Sequence, residues 1–313
     1  MDETPRAPRF ETVPRRLCFS TLPDGQREFA CFVRFSGQET TPTRVTEVSW
    51  TITATSSETA SLTGRRSLTE EEQSANRFLV SAVLPASWGD SRLSVEMQTD
   101  QQVFTEHWTI THYAQNSRFD LPLAGQILVL VGHRIGDTHR SAWQLPAQQF
   151  AWDFLPLDSN GLRLLNTRLS DSLTVRDFVG FGQAVLAPAA GRVARVVDGC
   201  PDLEGVGAYP TDMRYYLEDL RRAAGNYLVI DHGDAVYSCL AHLRQGSINV
   251  QEGQLVQAGQ VIGALGNSGF SSGPHLHLHF MDGPDLLEAS PLPIALQVEG
   301  QALVPQAGDI ITS

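Results

Sequence analysis

Apolar and polar residues alternate along the first part of the chain in short segments. The segment "EVSWTITAT" (47–55) places its apolar residues on one face and its Glu, Ser and Thr residues on the other. "REFACFVRF", "RFLVSAVL", "RLSVEMQ" and "HWTITHY" repeat this period of two, which is typical of strands with one buried face. The pattern predicts a flexible tail at 1–15 and a β-sandwich domain over 16–115. The polar stretch 56–77 predicts a long loop or a short helix.

A second domain over 116–313 is richer in Gly and Pro and contains seven of the nine histidines. Segments such as "QILVLVG", "GRVARVV", "NYLVIDHG" and "HLHLHF" predict that this domain is also mainly β. "TDMRYYLEDLRRAAG" (211–225) predicts a helix, since Thr-Asp begins it and a glycine closes it. The longest apolar run, "ILVLV" (127–131), is too short for a transmembrane segment.

Composition narrows the classes of function. Of the 313 residues, 42% are hydrophobic and 19% are charged, a balance typical of globular proteins. The formal net charge of −12 argues against nucleic acid and anionic membrane surfaces as partners. The four cysteines form no CxxC pair, which excludes zinc-ribbon and thioredoxin-type sites. The N-terminal residues are polar and rich in Pro and Arg, so we expect no secretory signal peptide there.

Three histidines stand on alternate positions in "SGPHLHLHF" (272–280), namely His275, His277 and His279. On a strand, residues two apart lie about 6.7 Å from each other on one face, and residues four apart about 13 Å. Zinc–nitrogen bonds are only about 2.0–2.1 Å long, so a neighbouring pair can share one ion but all three cannot. By itself the segment also fits a polar strand face with solvated imidazoles.

The motifs around this segment resemble those of peptidase family M23, the lysostaphin/LytM-type zinc metallopeptidases that act as peptidoglycan endopeptidases. The resemblance covers about residues 125–290. It rests on Gly225-Asn226, Asp231-His232-Gly233, Ala241-His242-Leu243, Gly266-Asn267-Ser268-Gly269 and Gly273-Pro274-His275-Leu276-His277, in that order. It implies a compact antiparallel β-sheet domain with a groove, to which this chain adds a short inserted helix. In that groove a Zn²⁺ ion is held by one His, one Asp and the second His of the HxH pair.

Carried over to this chain, the resemblance implies that Asp153 of "FAWDF" and His277 are zinc ligands, and that His242 and His275 are the catalytic histidines. Three protein ligands leave one position on zinc for a water molecule, whose pKa falls to about 7. Histidine can then take up or return a proton near neutral pH. The chain contains neither the HExxH helix of other zinc peptidases nor a GxSxG nucleophile elbow.

The chain departs from the family pattern at the first zinc ligand. The family's HxxxD motif would place a histidine where this chain has Gln149. Either His139 or His133 reaches the ion from further upstream, or the site has lost its third ligand. We favour His139, because it lies closer to Asp153 in sequence and in a Gly-Asp-Thr-His turn, as in similar members with a longer loop.

Two further departures concern the surroundings of the site. The family commonly has an acidic residue shortly after the HxH pair, where this chain has His279, which we expect to be exposed at the surface. About 25 residues (200–225) are inserted at what should be a groove edge. They are either a functionally neutral insertion or a lid that selects substrate. His232 is expected to be structural.

Three functions follow. The first is a zinc endopeptidase that cleaves peptide bonds of peptidoglycan, with the sandwich domain positioning it or binding a protein partner. The second is a catalytically inactive relative that binds cell wall or regulates a hydrolase. The third is a peptidase that acts on a protein outside the cell wall. The set of His139, Asp153, His242, His275 and His277 favours the enzyme. The resemblance implies a periplasmic or extracellular location.

Overall fold

The computed structural model shows two compact units, Met1–Ala114 and Gln115–Ser313. Both are mainly β, which confirms the predicted fold class. The residues that the structure describes are 9–36, 45–57, 59–99, 102–141, 144–160, 165, 173–207, 209–210 and 212–313. No helix within these ranges has the length and apolar character needed to cross a membrane.

The first unit contains eight described strands and one short helix. The strands are β1 (Arg9–Val13), β2 (Leu17–Thr21), β3 (Arg27–Ser36), β4 (Val45–Ala54), β5 (Ser61–Ser67), β6 (Arg77–Leu84), β7 (Ser91–Thr99) and β8 (Val103–His112), and the helix is α1 (Glu70–Ser74). They pair in the order β1-β3-β2-β8-β7-β4-β5, with β6 on the other side of β3. Pairing is antiparallel except between β2 and β8, which run parallel.

The predicted alternation decides which side chains of the first unit are buried. In β4, Val48, Ile52 and Ala54 are buried in a core that also takes residues from the neighbouring strands. The division of these strands into the two layers of a sandwich stays a prediction. Arg9–Val13, expected within the flexible tail, forms β1 because Phe10 packs against this core. The polar stretch 56–77 contains α1 and, contrary to expectation, also β5, a strand at the sheet edge.

The second unit is built around an antiparallel sheet of eight strands. Its strands are β9 (Gln126–Val131), β10 (Trp152–Pro156), β11 (Ala184–Leu186), β12 (Gly191–Val197), β13 (Asn226–Asp231), β14 (Tyr237–Leu243), β15 (Leu255–Val256), β16 (Val261–Ala264), β17 (Leu276–Met281), β18 (Leu296–Val298), β19 (Gln301–Leu303) and β20 (Ile310–Thr312). Eight of them pair in the order β15-β12-β13-β14-β17-β10-β9-β20. Every residue of β17 is buried, and β14 and β10 flank this strand in the sheet.

The helix predicted over 211–225 is broken into two short pieces. They are α2 (Met213–Glu218) and a 3₁₀ helix (Leu220–Ala224), while residue 211 lies outside the described ranges. Asp219 separates them with an extended backbone (φ −151°, ψ 108°), and its carboxylate accepts the N–H of Arg221 at 3.0 Å. Aspartate competes for backbone N–H groups in this way and therefore favours helix starts over helix interiors.

Candidate active site

Antiparallel pairing of three central strands brings the predicted site residues together. Asp153 of β10 lies directly opposite His277 of β17, and His277 in turn lies opposite Ala241 of β14. Side chains opposite each other in adjacent strands share one face of the sheet, with Cβ atoms about 5 Å apart. His277 Nδ1 lies 3.0 Å from Asp153 Oδ1 as a result. Residues 124 positions apart in sequence therefore meet through sheet register.

The first of the two upstream histidine candidates lies outside this cluster. His133 is fully buried against aromatic side chains, and its ring centroid lies 4.1 Å from that of Trp152 and 5.4 Å from that of Phe150. Burial and the charge of Arg140 hold the pKa of His133 well below its ordinary value. Its environment is that of a core residue.

The second candidate, His139, reaches the aspartate. It stands in a 3₁₀ turn (Thr138–Ser141), and its Nε2 lies 3.0 Å from Asp153 Oδ2. Potential ligand atoms of His139, Asp153 and His277 all lie within 4.8 Å of one another. Ligand atoms around a tetrahedral zinc ion are about 3.3 Å apart, so small side-chain movements bring these three onto one ion. Two imidazole nitrogens and one carboxylate oxygen are also a donor set that suits zinc.

The two histidines predicted to be catalytic lie beside this group. The ring centroids of His242 and His275 are 4.6 Å apart, and His275 Nε2 lies 3.6 Å from Asp153 Oδ1. His242 Nδ1 donates to the carbonyl oxygen of Ser268 at 2.8 Å, and His275 Nδ1 donates to that of Gly273 at 2.8 Å. Carbonyls only accept hydrogen bonds, so in each neutral ring Nε2 is left as a proton acceptor.

His242 has an unusual backbone. Its φ of 60° lies in the left-handed region, where a side chain with a Cβ is disfavoured. Its partner carbonyl is held by a close approach of two glycines. A Cβ on Gly225 would lie 2.5 Å from the carbonyl carbon of Ser268, and a Cβ on Gly269 would collide with the backbone of Gly225. Asn226 secures the same point, since its N–H donates to Ser268 Oγ at 2.9 Å. Gly225 and Gly269 thus allow the close approach that positions the Ser268 carbonyl and, through it, the imidazole of His242.

Burial and mutual charge set the protonation states. Burial alone would raise the pKa of Asp153, but the neighbouring imidazoles, His139 foremost, hold it well below its ordinary value. Burial opposes protonation of His139, yet the charge of Asp153 raises its pKa. Burial lowers the pKa of His277 to about 4 and, together with neighbouring histidines, holds that of His242 well below its ordinary value. At neutral pH His242 is therefore a neutral base beside an ionised carboxylate.

His279 was expected at the surface, and this expectation is wrong. It is buried, and its Nδ1 lies 2.9 Å from Nε2 of His277. His279 lies two residues after His277 on β17 and therefore on the same face of the sheet, where both line the same groove. A hydrogen bond on the second ring nitrogen fixes the orientation of a metal-binding histidine. The spacing of two residues between His277 and His279 was the sequence signal that could have predicted this contact, because it places both side chains on one face of the strand.

A groove of about 930 Å³ runs over these histidines. Its lining includes Val206 and Tyr209 of the segment 200–225 and residues of β9 and β10 such as Leu130 and Leu155. Outside the groove, His232 bonds to the Ala190 carbonyl at 2.9 Å and to Ser238 Oγ at 2.8 Å, in line with a structural role.

Comparison with known proteins identifies the class. The family model of peptidase family M23 matches residues 176–287. This segment of the chain belongs to that family, which confirms the resemblance. The match includes His242, His275 and His277, whereas His139 and Asp153 precede it, so their place in the site depends on the geometry above.

Two curated relatives are similar over parts of the chain. The peptidoglycan DD-endopeptidase ShyA of Vibrio cholerae is 50% identical over 54 residues, or 17% of this chain and 12% of that protein. An uncharacterized metalloprotease of Haemophilus influenzae is 30% identical over 135 residues, or 43% of this chain and 24% of that protein. The chain therefore spans at most about a quarter of the length of either relative. A crystal structure of a zinc-containing peptidase from Vibrio cholerae aligns over 89% of this chain and 79% of its own, with 19% identity and a TM-score of 0.35.

Proposed function

We propose that the C-terminal unit is a zinc-dependent endopeptidase that hydrolyses peptide bonds in bacterial peptidoglycan. The observation that carries the proposal is the convergence of His139, Asp153 and His277 with two further imidazoles on the floor of one groove. Membership of residues 176–287 in peptidase family M23 supports a peptidase, and the names of relatives such as ShyA support cell-wall peptide as its substrate.

Nε2 of His139, a carboxylate oxygen of Asp153 and Nδ1 of His277 would hold the zinc ion. When bound, the ion supplies a Lewis acid for the peptide carbonyl and lowers the pKa of a coordinated water. His279 would keep the His277 ring in its orientation through Nε2, at 2.9 Å.

The remaining histidines supply proton transfer. His242 is neutral at neutral pH with its Nδ1 proton committed to Ser268, so its Nε2 accepts a proton from the attacking water. The same imidazole then returns the proton to the leaving amine. His275, whose ring centroid lies 4.6 Å from that of His242, would contact the carbonyl oxygen of the cleaved bond, on which negative charge develops.

Zinc content and cell-wall hydrolysis test the proposal together. We expect about one zinc per chain in the native protein and a large loss in His139→Ala. The exposed His107 of the first unit serves as the control, because His107→Ala leaves the site intact. Native protein and control should release soluble peptide fragments with new amino termini from purified peptidoglycan, and His139→Ala should not. Peptidoglycan binding without zinc and without release would support the catalytically inactive alternative instead.

A further inference from the structure

We infer that Asp202, in the inserted segment 200–225, is a positioning residue for the two histidines proposed to be catalytic. Its carboxylate bridges the loop that follows His242 and the loop that precedes His275. The inference deepens the proposed function and rests on it for the reaction in which these imidazoles act. It gives the insertion a part in the assembly of the site.

One carboxylate accepts a backbone N–H from each of the two loops. Asp202 Oδ2 accepts the N–H of Gln245 at 3.0 Å, and Oδ1 accepts the N–H of Asn267 at 2.7 Å. Hydrogen bonds to an ionised carboxylate are about twice as strong as those between neutral groups. Because each oxygen of the planar carboxylate holds a different loop, a single side chain sets the distance between residues 244–246 and residues 266–268.

These two contacts stand at the two ends of the hydrogen bond that orients His242. Gln245 follows His242 by three residues. Asn267 directly precedes Ser268, whose carbonyl oxygen accepts the Nδ1 proton of His242 at 2.8 Å. A shift of either loop would lengthen or misalign this bond, and hydrogen bonds weaken steeply away from linear geometry. Asp202 therefore holds the donor and the acceptor of the bond in place relative to each other.

The side chain of Asn267 connects the same contact to His275. Asn267 is fully buried, and its Nδ2 donates to the carbonyl oxygen of Leu203, the next residue of the insertion, at 2.9 Å. Its Oδ1 accepts the hydroxyl proton of Ser271 at 2.7 Å. Ser271 Oγ in turn lies 3.3 Å from His275 Nδ1. A series of polar contacts therefore joins the start of the insertion to both imidazoles.

The backbone around the carboxylate allows its close approach. A Cβ on Gly266 would lie 2.5 Å from Asp202 Oδ1 and 2.4 Å from the backbone of Arg244. Neither distance leaves room for a side chain, so this position requires glycine. The backbone of Asp202 also forms an isolated antiparallel bridge with Ser268. The carboxylate is therefore held against both loops by the chain that carries it.

Variants of the zinc-loaded full chain at Asp202 test the inference. Asp202→Ala removes both acceptor oxygens, whereas Asp202→Asn keeps the volume and one of them. Steady-state hydrolysis of soluble peptidoglycan fragments with intact cross-links gives kcat and KM. Misplaced catalytic groups lower kcat more than they raise KM. We expect kcat to fall about 100-fold in Asp202→Ala and about tenfold in Asp202→Asn, with KM within about twofold of native.

Heteronuclear NMR of the imidazoles gives a readout that is independent of hydrolysis. Carbonyl oxygens hold the Nδ1 protons of His242 and His275, so both protons should exchange slowly with water in the native protein. We expect Asp202→Ala to lose both signals. Its zinc content should stay near one per chain, because sheet pairing and a 3₁₀ turn hold the three proposed ligands. An aspartate that only stabilised the fold would lower the melting temperature and leave kcat and both signals at native values.

Asp198→Ala is the matched control. Asp198 Oδ1 accepts the N–H of Gly246 at 2.8 Å, so this carboxylate also holds the loop after His242. Within the described residues it accepts no hydrogen bond from residues 266–268, so its loss should leave kcat, KM and both signals at native values.

Equal effects of the two alanine variants, native kcat and signals in Asp202→Ala, loss of zinc from it, or absence of both signals from the native protein would each overturn the inference. If Asp202→Ala does not fold, Asp202→Asn decides by the same criteria. Imidazole signals that depend on Asp202, in a native protein that releases no peptidoglycan fragments, would uphold the positioning role and refute the proposed hydrolysis.

Discussion

Replacing His242 by glycine and by alanine separates its chemistry from its backbone. Both substitutions remove the imidazole, and we expect both to abolish peptidoglycan hydrolysis. They differ in the conformation they tolerate, since φ at this position is 60°. A residue with a Cβ pays about 1–2 kcal/mol in the left-handed region, whereas glycine does not. His242→Gly should therefore be about 1 kcal/mol more stable than His242→Ala.

The sign of this difference is diagnostic because it is the reverse of the ordinary one. Glycine inside a strand normally costs about 0.5–1 kcal/mol relative to alanine. The losses that both variants share cancel in the comparison. Chief among them is the buried hydrogen bond from Nδ1 to the Ser268 carbonyl, whose removal leaves an unpaired acceptor at a cost of about 1–3 kcal/mol.

The pH dependence gives a second, independent readout. Burial holds the pKa of His242 in the folded protein well below its ordinary value near 6.5. The contribution of the neutral imidazole is therefore complete above pH 6.5 and is lost as the pH falls toward the folded-state pKa, since the unfolded chain binds the proton more strongly. The stability gap between native protein and either variant should narrow below pH 6.5, by up to about 1.4 kcal/mol per pH unit.

Urea unfolding of the metal-free proteins, followed by circular dichroism from pH 7.5 to 5.5, measures the stability difference between the two variants and the pH dependence of their gap to the native protein. Chelator is included throughout so that zinc binding to the native state adds nothing to stability. Equal stabilities, or a more stable alanine variant, would show that the backbone at this position is not constrained as described. A gap that stays constant with pH would show that the buried imidazole does not resist protonation.

Three further predictions concern the metal side of the site and its supports. Zinc binding at pH 6 should release about one proton, because His139 has a raised pKa and is protonated there, whereas His277, with a pKa of about 4, is not. Calorimetry in buffers of different ionisation enthalpy counts the released protons. Release of two protons would contradict these protonation states. His279→Ala should weaken zinc affinity about 10–100-fold in competition with a chelator, and unchanged affinity would refute its orienting role. Gly225→Ala places a Cβ 2.5 Å from backbone, whereas Gly233 also has a positive φ but open space around it. Gly225→Ala should therefore lower the melting temperature far more than Gly233→Ala, while both variants keep about one zinc per chain. Equal losses in melting temperature would contradict the close packing at Gly225.

The sequence predicted the strands that have one buried face better than it predicted the edge strand β5 and the continuity of the helix over 211–225. Period-two alternation indicated the strands of the first unit because one face of each is buried. Strand β5 was missed because its side chains are only partly covered at a sheet edge, which leaves no apolar alternation to detect. The predicted helix over 211–225 shows the converse, since a helical composition was interrupted by one aspartate that accepts a backbone N–H.

The site shows a similar division. Motif resemblance pointed to Asp153 and His277, but their meeting depends on the register of β10 against β17, which spacing along the chain does not reveal. The paths of residues 132–141 and 144–151 could not be predicted either. Short 3₁₀ turns (Thr138–Ser141 and Pro146–Gln148) contribute to the return of His139 to the aspartate, while His133 enters the core. Burial of His279 depends on what covers this face of the sheet, which the pattern of its own strand does not reveal.

The polar residues of the site are where the chain departs from what stability alone would favour. β17 reads Leu-His-Leu-His-Phe-Met and is buried throughout, so apolar residues in place of His277 and His279 would avoid the cost of enclosing imidazoles. Asp153 is enclosed in the same way on β10. Replacing buried charged groups by packed apolar ones is often neutral or stabilising. Their convergence on one face, each bonded to the next, is therefore better explained by a ligand that all of them share than by folding.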